Sequence, residues 1–157
     1  MTMLDDGWRA AKTPADIDLP TAPQLLVIDD SEVHRIIICK IAIKAGFLTM
    51  EAENCGDVIR LITLNKFEGA TLDLSLGERA GTEVLRHFSV CKFQAPIIIL
   101  SGANSELTRN AYELGQSLDL NMLDPIGKPA DLAALRERLS TIARDWQAQQ
   151  QMQLPAA

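Results

Sequence analysis

Short, almost uniformly apolar runs alternate along this chain with longer stretches of helical spacing. QLLVIDD at 24 to 30 contains a buried strand, and Ser31 to Ala45 reads as a helix stopped by Gly46. FLTMEA supplies a second strand and Cys55 to Lys66 a second helix. GATLDL follows as a third strand, Gly81 to Cys91 as a helix and PIIIL as a fourth strand. Ser105 to Gln116 is predicted helical, LDLNML at 118 to 123 forms a fifth, weaker strand, and the last helix runs from about Ala130 to Trp146.

Strands that are apolar on both faces, such as Pro96 to Leu100, belong in a parallel sheet covered on both sides. The alternation therefore predicts an α/β fold, a flavodoxin-like (βα)5 doubly wound parallel sheet with strand order 2-1-3-4-5. Residues 1–23, broken by Pro14, Pro20 and Pro23, read as a flexible arm in which Leu4, Trp8 and Ala11 could share one face of a short helix. Residues 24–146 form the domain, and 147–157, with QAQQQMQ, read as a flexible, low-complexity tail.

At 157 residues and 47% hydrophobic content the chain can bury a substantial core. A net charge of −6, without clustered Lys and Arg, argues against a nucleic-acid partner, and no DNA-binding output domain is expected within it. Cys39, Cys55 and Cys91 are odd in number and lack metal-ligand spacing, which fits reduced thiols in the cytoplasm. The first residues carry acids where a signal peptide needs bases, and no apolar run reaches the ~18 residues of a membrane span. A soluble, cytoplasmic protein with no membrane partner is the expectation.

Candidate chemistry sits where the strands end. Asp29 and Asp30 close the first run, Asp73 the third and Ser101 the fourth, while Lys128 precedes Pro129 after the fifth. In a parallel sheet these ends lie side by side in one crevice. Three clustered carboxylates repel one another, and an ionised cluster of oxygen ligands calls for a cation such as Mg²⁺. Asp73 could serve as both ligand and nucleophile, with Ser101 and Lys128 holding the oxygens of an incoming phosphoryl group. The pattern reads as an aspartyl-phosphate centre.

VIDDS at 27 to 31, KAGF at 44 to 47, AENCGDVIRLI at 52 to 62, DLSLGERAGTEVLR at 73 to 86, IIILSG at 97 to 102 and KP at 128 and 129, in this order, resemble a receiver domain of two-component response regulators, chemotaxis-regulator-like. The resemblance covers about residues 24–145. It implies that Asp73 is the phosphoacceptor, that Asp30 binds Mg²⁺ directly and Asp29 helps hold it through water, and that the backbone carbonyl of Ser75 is a further ligand. It also implies that Ser101 is the switch hydroxyl and Lys128 the cation paired with the acceptor. The phosphodonor would be a sensor histidine kinase or histidine phosphotransfer protein; a second copy of the chain and a downstream target protein are the other partners considered. Such a chain catalyses its own phosphorylation and dephosphorylation rather than a metabolic reaction.

Several residues depart from the family pattern. Pro125 stands three residues before Lys128, where an inward-turning aromatic is usual, and the stretch YELGQSLDLNMLDPIGKP is longer than usual, on a face where many members dimerise or signal. Gly77 replaces a frequent proline, while Ser75 and Ala103 are small. The alternative reading is a degenerate, non-phosphorylated receiver acting as a protein-binding module. A phosphohydrolase with an aspartate nucleophile would place a second acid where Ser75 stands. His34 and His87 have no ligand-spaced partner and are expected as surface residues. Val33, Ile36, Ile37, Ile38, Ile41 and Ile43 spread more widely around the first helix than one core stripe needs, so Ile37, Ile38 and Ile41 are expected to dock a phosphodonor or a second subunit, or to be covered by the arm.

Overall fold

The computed structural model describes residues 22–74, 78–102, 105–127 and 132–153. Most of the arm, Ser75, Gly77, Ala103, Lys128 and the end of the tail lie outside the described residues. The elements run β1 (Gln24–Ile28), α1 (Glu32–Lys44), β2 (Leu48–Ala52), α2 (Cys55–Leu64), β3 (Gly69–Asp73), α3 (Glu78–Val90), β4 (Ile97–Ser101), α4 (Ser105–Ser117), β5 (Ile126–Gly127) and α5 (Leu132–Gln153). The strands form one parallel sheet in the order β2-β1-β3-β4-β5, as the alternation predicts.

Strand periodicity divides the core into two layers. Leu26 and Ile28 of β1, Ala70 and Leu72 of β3, and Ile97 and Ile99 of β4 pack with Val58, Val84, Leu85 and Phe88 on the α2, α3 and α4 side. The intervening residues Leu25, Val27, Ile98 and Leu100 pack with Ile38, Ala42, Leu135 and Leu139 of α1 and α5. Each fully buried aliphatic side chain contributes about 1.5–3 kcal/mol, so the sheet is the main stabilising element.

Helix α1 has a complete set of end signals. Ser31 caps its start, with Oγ accepting from the His34 N–H. At its end Gly46 adopts φ +104, and the Phe47 and Gly46 N–H groups donate to the carbonyls of Ala42 and Ile43, a six-to-one and five-to-two pair that brings the chain round into β2. Val33 (65% exposed), Ile36, Ile37 and Ile43 face solvent, whereas Ile38 is buried at 3% and Ile41 packs against the α1–α5 layer. The expectation of a docking role for Ile38 is corrected accordingly, because its position turns it beneath the helix onto the sheet.

The last strand also differs from the sequence reading. LDLNML is not a strand: Leu118 and Leu120 donate back to α4 carbonyls, Asp119 takes φ 60, and only Met122 bridges to Ile97. The two-residue β5 lies further on, with Leu100 beside Ile126. Between these pairings β4 advances from Ile97 to Leu100 while the partner advances from Met122 to Ile126, so the partner carries one extra residue. Pro125 occupies that interruption, where its missing N–H cannot continue a ladder. Helix α5 extends past Trp146 to Gln153, beyond the end that the sequence pattern predicts.

Two features of this core lead to measurable outcomes. Among the described residues, Thr71 Oγ1 is a buried side-chain oxygen without a hydrogen-bond partner. Thr71→Val is therefore expected to raise stability by about 1 kcal/mol, read as a higher urea midpoint at unchanged slope. Burial pushes the Cys39 and Cys55 thiols up from their ordinary values, so fewer of them are thiolates at mildly alkaline pH. Exposed Cys91 is expected to be labelled first by a disulfide reagent, with Cys39 and Cys55 following more slowly on peptide mass mapping.

Candidate functional site

Register brings the strand-end residues together. Ile28 pairs with Leu72, which sets Asp29 and Asp73 side by side at the carboxyl ends of β1 and β3. Asp73 in turn pairs with Leu100, so Ser101 extends one residue further on the adjacent strand, and Ser101 pairs with Gly127, the residue before Lys128. Asp29 is 0% exposed, Asp73 1% and Ser101 8%. Asp30 lies in the same loop as Asp29 and is exposed. Ser75 and Lys128 fall outside the described residues.

The β1–α1 loop is held by two local devices. Asp29 Oδ1 accepts from the Ser31 N–H at 2.9 Å, which fixes the turn into α1, and the Asp29 N–H donates to the Ala52 carbonyl at 3.0 Å. Arg35, one turn into α1, donates from Nη1 to the Asp29 carbonyl at 2.8 Å. The same guanidinium reaches Glu51 Oε1 at 3.2 Å and Glu53 Oε2 at 3.8 Å, tying the loop to β2 and its following turn. Asp29 thus enters the pocket from a braced backbone.

His34 is exposed, as expected, but it joins the two acids, where no ligand-spaced partner is expected from the sequence. Its Nδ1 lies 3.7 Å from Asp29 Oδ2 and 3.9 Å from Asp73 Oδ2, with the side chain half exposed. The ligand atoms of Asp29, His34 and Asp73 all fall within 4.8 Å of one another. Helical side chains lean toward the N-terminus of their helix. A residue in the first turn after Ser31 therefore points back over the acid-bearing loop, a signal available in the sequence once the cap is recognised. Ligand spacing counted along the chain misses it because the partners come from different elements.

The buried carboxylates, the hydroxyl and the nitrogen form a polar mouth at the topological switch point between β1 and β3, where the chain leaves the sheet in opposite directions. Among the described residues no helix is long and apolar enough to cross a membrane.

Comparison with known proteins agrees with this architecture. A family model described as "Response regulator receiver domain" matches residues 25–140. The chain is 28% identical over 120 residues to Response regulator RR06 of Streptococcus pneumoniae, covering 76% of this chain and 52% of that protein. It is 25% identical over 114 residues to Sporulation initiation phosphotransferase F of Bacillus subtilis, covering 73% and 88%. The chain thus spans about half the length of the first relative and most of the second. A response regulator structure from Colwellia psychrerythraea superimposes with a TM-score of 0.70 at 25% identity, over 80% of this chain and 99% of that one. One from Burkholderia pseudomallei, with a phosphorylated aspartic acid, a calcium ion and citrate, gives a TM-score of 0.62 at 25% identity over 86% and 76%. Receiver domains are phosphorylated on aspartate, generally bind Mg²⁺ in an acidic pocket, and interact with sensor histidine kinases or phosphotransfer proteins. By the match to residues 25–140 and the fold that carries it, the chain belongs to the response regulator receiver domains of two-component systems.

Proposed function

We propose that this receiver takes a phosphoryl group from a phosphohistidine donor onto Asp73 in a Mg²⁺-dependent reaction. The observation that carries the reading is the pair of nearly inaccessible carboxylates, Asp29 and Asp73, at adjacent strand ends. Their oxygen donors, side by side at the switch point of the sheet, fit a hard divalent cation. Asp29, Asp30, Asp73 and the Ser75 carbonyl are the residues proposed to hold it. When bound, Mg²⁺ supplies positive charge to the phosphoryl oxygens as the bond to the donor breaks.

The chain's own residues do the rest. An Asp73 carboxylate oxygen attacks phosphorus, the P–N bond of the donor breaks, and its electron pair returns to the donor imidazole. Lys128 and the Ser101 hydroxyl receive the transferred oxygens, supplying charge and a hydrogen bond where negative charge accumulates. Water later attacks phosphorus, the bond to Asp73 breaks, and the carboxylate is restored with release of inorganic phosphate. Between these events the modified pocket biases a protein-binding surface.

A donor protein must cover the mouth of this pocket, and α1 begins there. Val33, next to His34 in the first turn, is exposed, as are Ile36 and Ile37 further along α1, and Ile37 lines a groove between α1 and α5 with Ile41, Leu132, Lys40 and Arg136. The basic rim favours an acidic donor face carrying the negatively charged phosphoryl group. This surface is the proposed dock for the phosphodonor.

Two experiments check the reading. Incubation with acetyl phosphate and Mg²⁺ is expected to add the mass of one phosphoryl group, removable by hydroxylamine and absent from Asp73→Ala. An unmodified wild type would leave a binding module with a degenerate site. Ile37→Glu is expected to slow transfer from the donor protein at least tenfold while acetyl phosphate modification keeps its rate; equal transfer rates in variant and wild type would remove the docking surface.

A further inference from the structure

We infer that His34 is a nitrogen ligand of the divalent cation in this pocket, giving the site a mixed nitrogen and oxygen donor set that prefers transition-metal ions to Mg²⁺. The inference rests on reading the Asp29 and Asp73 pocket as a cation site and adds a residue to it.

Geometry is the first support. His34 Nδ1 stands 3.7 and 3.9 Å from one oxygen of each buried acid. Those separations exceed the ~2.7–3.2 Å of a direct hydrogen bond. They fall within the ~4.2 Å that two metal–ligand bonds of ~2.1 Å can span across one ion. All three ligand atoms lie within 4.8 Å of one another and come from the end of β3, a helix, and a loop residue directly after β1 whose backbone is bonded to Ala52 and Arg35, so the protein's framework sets their spacing.

The helix secures the third corner. Ser31 caps α1, and Arg35, the next residue after His34, is hydrogen-bonded to the Asp29 carbonyl and ion-paired to Glu51. The first turn of α1 is consequently fastened to the loop that carries Asp29, and His34 rides on it. Half of the imidazole remains exposed, which leaves the mouth of the pocket open to an entering ion.

Chemistry then sets the preference. Mg²⁺ takes oxygen ligands and parts reluctantly with its water, whereas imidazole suits cobalt, nickel and zinc. Replacing one oxygen or water position by imidazole raises affinity for the transition ions and does little for Mg²⁺.

Calorimetric titration of the whole chain with Mg²⁺ and with Co²⁺ tests this, using wild type, His34→Gln, His87→Gln and Asp29→Asn. The wild type is expected to bind Co²⁺ at least tenfold tighter than Mg²⁺. His34→Gln should lower Co²⁺ affinity at least ~10-fold, since losing a direct ligand costs no less than losing an outer contact that supports one, with less than about a threefold change for Mg²⁺. The Mn²⁺-loaded wild type and His87→Gln should show a nitrogen hyperfine coupling in the electron spin echo that His34→Gln lacks. Retained Mg²⁺ binding with an unchanged Co²⁺ to Mg²⁺ ratio in His34→Gln would overturn the nitrogen ligand alone. Failure of the wild type to bind either ion, or equal affinities in wild type and Asp29→Asn, would overturn the cation pocket and the ligand together.

Discussion

Burying a carboxylate costs several kcal/mol unless charge or hydrogen bonds compensate, and the pairing of β1 with β3 buries two of them side by side. The two stay close because Asp73 ends β3 and Asp29 directly follows β1, strands whose other residues are locked into both core layers. The apolar sheet thus provides the stability that holds two buried carboxyl groups together. The β1–α1 loop follows from the same constraint: Asp29 bonds the Ser31 N–H, Ser31 caps α1, and Arg35 of that helix returns to the Asp29 carbonyl.

Helix α1 therefore serves the core and the pocket at once. Its inner side, with Ile38, Cys39 and Ala42, is core for the α1–α5 layer. Its first turn carries His34 over the acids, and its outer side leaves Val33, Ile36 and Ile37 in water. A helix with apolar residues on so many sides is costly to solvate where they remain exposed.

The opposite edge of the sheet is weaker. β4 is fully buried, but its partner is a bridge at Met122, an extra residue around Pro125, and the two-residue β5. A proline cannot donate to the ladder, so the pairing resumes only at Ile126. Pro125 thus stands at a backbone interruption of the ladder between the Met122 bridge and β5.

The sequence alone was enough to place the strands that matter for chemistry. QLLVIDD, GATLDL and PIIILS are short, apolar and terminated by polar residues, and a parallel sheet brings such ends together whatever the helices do. Asp29, Asp73 and Ser101 were legible for that reason, as was Ser31 at the start of α1. Tertiary structure decided what depends on more than one element. LDLNML has strand-like composition, yet Leu118 and Leu120 bond back to α4 and the ladder is taken up beyond Pro125. Ile38 and Ile37 are neighbours of the same kind, and only the rotation of α1 against the sheet buries one and exposes the other. His34 reads as an ordinary surface residue until the lean of a helical side chain and the β1–β3 register are combined, because its partners are held by strands and its own position by a helix.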